Sequence, residues 1–484
     1  VVALLVGATV PAATAAPAPS PRPTRLLALH ATHGADAAIV DAADRQVLLR
    51  GTNLNSLGDY YQDDPKLPPV VPVTNRDWKT MARQGFDVVR LLISWSKLEP
   101  RRGHYDRGYL RRIRVEVERA RAQGIYTVID MHQDAWGKSI ATPAGVTCPA
   151  GTEPAIGWDG APAWATITDG ASTCRPGDRE SAPAVATAWD SFYANRAGIR
   201  DHLVAAWSRV AREFRRDAAV AGYDLLNEPN HGDADAYRSG LGAFYADAIR
   251  AIRAAETGPG AFHHIVFFEP TVLAQPPATG FTDDTNVVIA PHHYGESIVD
   301  VPIDGLFDYY QQLADEFGAP LWIGEYGWFS EPAVNAEKLA RYAAKEDQLI
   351  TAGDAWWQWR QACGDPHSIS TPGGTPDRIQ IHLQRNRCPG DVNLGVVPQW
   401  ACLSRPYPRA AAGRLTSLRA SCTDSLTLTG HTDAPGSLDV WFPGRDRPRP
   451  GPSTNVTAVR LRPVPGGFRA TARVTGDYTF ALTT

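Results

Sequence analysis

Between about residues 45 and 360, short apolar runs rich in β-branched side chains alternate with amphipathic stretches. This is the pattern of βα units around a parallel sheet. Eight runs read as strands: QVLLRGTN, FDVVRLLIS, GIYTVIDMH, VAGYDLLNEP, HHIVFFEP, NVVIAPHHY, APLWIGEYG and DAWWQWR. The segments between them, such as DRGYLRRIRVEVERARAQG and GIRDHLVAAWSRVAREFRR, repeat apolar residues three and four apart and read as helices. Eight strands with intervening helices predict an α/β fold of the (β/α)8 TIM-barrel type. An open doubly wound sheet fits less well, because no Gly-rich nucleotide loop follows any of the strands.

Two stretches break the alternation. Residues 139–190 are dominated by Gly, Pro, Ala and Thr, show no periodicity, and read as a long loop after the third strand. That loop would lie at the strand C-terminal face, where barrels carry functional lids. Its Trp158, Trp164 and Trp189 either line a substrate groove or pack the loop onto the barrel. Beyond about residue 405 come short Thr/Val/Leu runs between Pro, Gly and Asp turns (SLTLTG, SLDVWF, NVTAVRLRPV, FRATARV, DYTFALTT), which predict an antiparallel β-sandwich over 405–484. The catalytic barrel is accordingly expected within 17–400.

Composition adds three limits. The chain of 484 residues is 43% hydrophobic and 21% charged, with a net charge of −4 and no basic field for a polyanion, so nucleic acid is not expected as a partner. Residues 1–16 have an apolar run followed by Ala13-Thr14-Ala15, an A-x-A cleavage pattern, and read as the remnant of a secretory signal peptide. A membrane anchor would need roughly 20 apolar residues, and Pro11 interrupts a run already too short. The six cysteines form no C-x-x-C pair, which disfavours zinc; in an exported protein they read as disulfides. Sequential pairing of Cys148 with Cys174, Cys363 with Cys388 and Cys402 with Cys422 is the simplest arrangement. A monomer without metal or organic cofactor is expected.

Polar residues crowd the C-terminal ends of the strands, where a TIM barrel builds its active site. At the fourth, YDLL gives way to Asn227-Glu228-Pro229; at the seventh, LWIG gives way to Glu325-Tyr326-Gly327. Two carboxylates delivered across one barrel mouth can flank a glycosidic bond, one protonating the leaving oxygen while the other attacks the anomeric carbon. An isolated Glu at a strand end more often caps the strand or pairs with an Arg; two in these contexts outweigh that reading. Retention requires Glu325 ionised and Glu228 protonated.

These motifs resemble glycoside hydrolase family 5, over residues 45–360. Beyond LLNEPN and IGEYG, the resemblance is carried by Arg90 in VVRLLISWSKLEP, His132 and Asp134 in IDMHQD, His292 and Tyr294 in PHHY, and the tryptophans of WWQWR. It implies that Glu228 is the acid/base and Glu325 the nucleophile. It further implies that Arg90 and Tyr294 hold Glu325, that Asn227 donates to the sugar 2-hydroxyl, and that an aromatic after strand eight stacks under the sugar. Trp359 is the first choice for that platform, with Trp356 and Trp357 as alternatives because pleat direction at a strand end is not set by sequence. Within the family, DMHQD, the long loop and the C-terminal β domain look most like endoglycoceramidases, which release an intact glycan from ceramide. Such an enzyme would be secreted and would touch a lipid surface or micelle transiently, with Trp328 and Phe329 as candidate lipid contacts. Endoglycoceramidases carry a glycan-contacting Lys shortly after strand one; here only Lys66 lies nearby, well downstream. The rivals are a cellulase- or mannanase-like endoglycosidase, a hydrolase of other lipid or steryl glucosides, and, from a different class, a non-catalytic sugar-binding barrel.

Overall fold

The computed structural model describes residues 25–484 except residue 63 and residues 231–233, 330–331, 370–381, 388–391 and 397–400. Eight parallel strand positions close into a barrel: Leu49–Leu57, Val88–Ser94, Tyr126–His132, Val220–Asp224, Ile265–Phe268, a split sixth strand (Val287–Ile289 and His292–His293), Ile323–Tyr326 and Gly353–Trp356. Closure is made by the eighth strand pairing with the first, Gly353 opposite Leu49 through Trp356 opposite Thr52. The split at Ala290-Pro291 follows from chemistry, since proline has no N–H to give the ladder. Ile289 bridges Leu321 and His292 pairs with Glu325 on either side of it.

The strands are buried on both faces, which is why their sequences read as nearly continuous apolar runs. The helices declare themselves at their ends. Helix Arg107–Ala122 starts at Asp106, whose side chain accepts the Gly108 and Tyr109 N–H groups, and helix Asn75–Arg83 starts at a Thr74/Asp77 capping box. None of the helices among the described residues is long and apolar enough to cross a membrane.

The segment 139–190 has more structure than its composition suggests. It contains helix Pro183–Tyr193, 3-10 turns at Ala163–Ala165 and Arg179–Ser181, and a small ladder pairing Glu153–Pro154 with Cys174–Arg175. The Cys148–Cys174 disulfide closes it, limiting the conformations the loop loses on folding. Cys402–Cys422 is also formed, whereas Cys388, the expected partner of Cys363, lies outside the described residues, as does the leader at 1–16. Trp189 is fully buried against Trp136, Phe192 and Tyr193, and Trp164 packs edge-on to Trp95, so these two anchor the loop rather than line a groove.

At the C-terminus, Ser425–Pro443 and Gly467–Thr483 pair antiparallel along their length with a register break between Thr432 and Gly436. Either side of that break Ser425–Pro443 serves a different neighbour, Arg414–Ala420 on one half and Tyr407–Ala412 on the other. Alternating Leu426, Leu428, Leu438, Val440 and Phe442 bury one face as a second core. Strands Leu29–Ala31, Ile39–Asp41 and Arg45–Gln46 join this sheet through Arg45–Gln46 and Tyr407–Ala412, so the region expected to open the barrel begins instead by extending the β domain. The two units meet tightly: Gly85, at φ +80°, lies where a Cβ would come within 2.2 Å of the Trp441 indole.

Candidate active site

The site forms where the strands end. Arg90, fully buried on the second strand, is its hub. Its guanidinium reaches Asp130 at 3.0 Å, Asp224 at 2.8 Å, Glu269 at 2.8 Å and Glu325 at 2.7 Å, and also donates to Asn53 and Asn227. Four carboxylates around one guanidinium are tolerable only because its planar fork presents donors to several of them at once.

Glu325, at the end of the seventh strand, accepts from Arg90 on one oxygen and from the Tyr294 hydroxyl, 2.8 Å away, on the other. Glu228, after the fourth strand, lies across the mouth with a left-handed backbone, φ +37°. His292 sits between them, its Nδ1 at 2.8 Å from Glu228 and 3.4 Å from Glu325. One carboxylate oxygen of each glutamate and a His292 nitrogen all lie within 4.8 Å of one another. The neighbouring His293 points the other way, against Ile303, as alternation along a strand requires.

The wall beside Glu228 comes from the third strand and the loop after it. His132 is buried between Asp130 at 2.8 Å and Asp134 at 3.6 Å. Burial would lower its pKa, but the two carboxylates outweigh that and raise it to about 10. Arg179 bridges Asp134 at 2.7 Å and Glu228 at 2.6 Å while lying over the Trp158 ring. His367 closes the wall 3.5 Å from Asp134 and edge-on to Trp158.

Two sequence expectations are corrected here. Trp359 does not face the mouth: it is buried behind the first strand, its indole N–H directed at Asp77. Trp356 packs outside the barrel on Tyr326 and Trp328, whereas Trp357, though buried like the other two, lies parallel to the His132 ring at 5.4 Å and against His367, which puts it, of the three, beside the polar wall of the site. Asn227 commits one of its two amide N–H groups to the Gln133 carbonyl and accepts from Arg90, which leaves the second N–H for the expected sugar hydroxyl. Charge tuning is also the inverse of the expected one. Burial raises Glu325 despite His292 and Arg90, while on Glu228 the same burial effect is overcome by the His292 hydrogen bond and the Arg179 charge, which hold its carboxyl below the ordinary value.

Sequence reasoning missed Arg179, His367 and Glu269. Glu269 was visible as FFEP at a strand end; its carboxyl is pushed by burial up to about 8, against the opposing charge of His292. Arg179 left no signal in an aperiodic loop. Among the described residues, Asp130, Asp224 and Glu269 are spaced closely enough for a cation, but the Arg90 guanidinium already occupies that position.

The comparisons agree with this geometry. The family model described as cellulase (glycosyl hydrolase family 5) matches residues 40–362. The chain is 30% identical over 286 residues to endoglycoceramidase I of Rhodococcus hoagii (strain 103S), covering 53% of this chain and 51% of that one; it thus spans about half the length of this curated relative. The crystal structure of an endogalactoceramidase superposes with a TM-score of 0.87 at 44% identity, over 95% of this chain and all of the other. Endo-glycoceramidase II from Rhodococcus sp., captured as a lactosyl-enzyme intermediate, shares the fold with a TM-score of 0.72 at 24% identity over 92% of this chain and 99% of that chain. With its barrel, its paired strand-end glutamates and a family match over most of its length, the chain belongs to glycosyl hydrolase family 5, a family of retaining glycoside hydrolases.

Proposed function

We propose that the protein is a retaining endo-β-glycosidase that cleaves between glycan and ceramide of glycosphingolipids, with Glu325 as nucleophile and Glu228 as acid/base. The observation that carries the reaction is that one oxygen of each carboxylate lies within 4.8 Å of an oxygen of the other. Retaining enzymes hold them about 5–5.5 Å apart, whereas inverting enzymes leave room for a water between them. In the first step Glu325 attacks the anomeric carbon while Glu228 protonates the departing oxygen. In the second, Glu228 takes a proton from water, which displaces the sugar from Glu325. Arg90 and Tyr294 aim the nucleophile from both its oxygens. Protonation of Glu228 requires Arg179 to release it, and Asp134 retains the guanidinium when it does.

The lipid aglycone is supported by the 44% identity to an endogalactoceramidase over that chain's full length and by exposed apolar side chains. Leu273, Ile298, Val299, Phe329 and Val334 are exposed hydrophobic residues in the segments that follow strands five, six and seven. Exposed apolar side chains in the segments that leave the strand ends suit an acyl or sphingoid chain at a lipid surface. Trp328 takes no part: it is fully buried and donates to the Gly295 carbonyl. Export is part of the proposal, consistent with Cys148–Cys174 and Cys402–Cys422.

The test is to incubate the purified protein with galactosylceramide, lactosylceramide, a ganglioside and carboxymethylcellulose, and to identify products by mass. Intact glycan and ceramide are expected, with galactosylceramide among the substrates. Activity on cellulose alone would overturn the lipid reading.

A further inference from the structure

Glu269 ends the fifth strand and is followed by Pro270. Only 1% of it is exposed, yet both carboxylate oxygens are committed. Oε2 accepts the backbone N–H of Glu228 at 2.8 Å. Oε1 accepts from Arg90 Nη2 at 2.8 Å and lies 3.3 Å from His292 Nε2, whose other nitrogen faces the Glu228 carboxylate. The Glu269 main chain is itself anchored, its carbonyl accepting the Tyr245 hydroxyl.

The peptide that Glu269 grips is the strained one. A non-glycine residue at φ +37° persists only where its surroundings over-determine it. Two side chains do so here: Gln133 donates its amide to the carbonyls of Asn227 and Glu228, and Glu269 accepts the Glu228 N–H between them. Packing alone gives no reason for a third carboxyl group beside Asp130 and Asp224, since an apolar side chain would fill the space without the cost of burying a polar group.

We propose that Glu269 is a positioning residue for leaving-group protonation: one oxygen fixes the Glu228 backbone, the other fixes Arg90 and His292, and together they aim the Glu228 carboxyl at the glycosidic oxygen. This rests on Glu228 being the acid/base. Glu269 touches neither sugar nor aglycone; it acts through Glu228 and His292.

The experiment compares kcat/KM on 2,4-dinitrophenyl β-galactoside, whose leaving group departs without a proton, and on octyl β-galactoside, whose leaving group needs one. Glu269→Ala and the isosteric Glu269→Gln are measured beside Glu228→Ala, with folding checked by circular dichroism. Both Glu269 variants are expected to lose at least tenfold more on the octyl than on the dinitrophenyl substrate, following the pattern of Glu228→Ala to a smaller extent. Equal losses on both substrates, or no loss, in the folded Glu269 variants would overturn the positioning role. If Glu228→Ala shows no such split, the acid/base assignment fails, and the inference with it. A split in Glu228→Ala without one in the Glu269 variants removes this inference alone.

Discussion

Arg179 reaches out of the disulfide-tied loop and places its guanidinium 2.6 Å from the Glu228 carboxylate. A cation there stabilises the ionised form, and the hydrogen bond from His292 adds to it against the raising effect of burial. In the proposed mechanism Glu228 acts as an acid and must be protonated, so Arg179 is expected to limit the alkaline range of activity. In Arg179→Ala the Glu228 pKa is expected to rise, moving the basic limb of the kcat/KM profile on a glycolipid upward by about one pH unit. An unmoved limb would show that the Arg179 contact does not set the protonation of Glu228 during turnover.

Glu325→Gln is expected to lower turnover by roughly 10⁴-fold or more, because the amide cannot form the glycosyl ester. Glu228→Ala should be rescued by azide on a dinitrophenyl glycoside, giving the β-glycosyl azide. Product of α configuration, detected by proton NMR, would rule out two successive inversions.

The aromatic platform separates two tryptophans two residues apart. Trp357→Ala is expected to cut kcat/KM about tenfold through lost stacking, since its ring lies beside His132 at the mouth. Trp359→Phe, altering an indole that contacts Asp77, should lower the melting temperature and leave kcat/KM within about threefold. Reversed results would return the platform to Trp359.

His132 links stability to pH. Its folded pKa of about 10 lies above the ordinary 6.5, because Asp130 and Asp134 outweigh burial. The protonated form is therefore the one favoured by folding: the stabilisation is complete below pH 6.5 and is lost as pH rises through about 10. Melting curves of the wild type and His132→Gln should converge between pH 6.5 and 10. A constant gap across that range would exclude the charge as the source.

Arg90→Met removes the cation that Asp130, Asp224 and Glu269 share. Leaving buried carboxylates unpaired costs about 3–5 kcal/mol. The loss should be read by urea denaturation of the barrel transition, together with loss of activity. A change under about 1 kcal/mol would mean the carboxylates are neutralised by protons instead.

The strand ends were legible in the chain itself. A parallel barrel buries its strands on both faces, so polar residues are few in their interiors and gather where the strands stop. LLNEPN and IGEYG stand out for that reason, as do His132, Asp134, His292 and Tyr294, whereas Arg90 stands out as a lone cation inside the second strand, Val88–Ser94. The C-terminal sheet was legible from its turn residues and Thr/Val/Leu runs. What periodicity could not give was orientation past a strand end, where alternation stops, and so Trp359 was preferred over Trp357.

Sequence by itself determined the architecture and the two glutamates, because period, strand count and residue type are local properties. Tertiary structure alone decided that strands near residues 29–46 would join a sheet some 370 positions away, with Gln46 opposite Ala411. It also decided that a loop arginine would clamp Glu228, and that Glu269 would hold the backbone it cannot be seen to touch in the chain. Such contacts depend on where non-neighbouring segments converge in space, and their energies come from burial and charge that exist only once the barrel has closed.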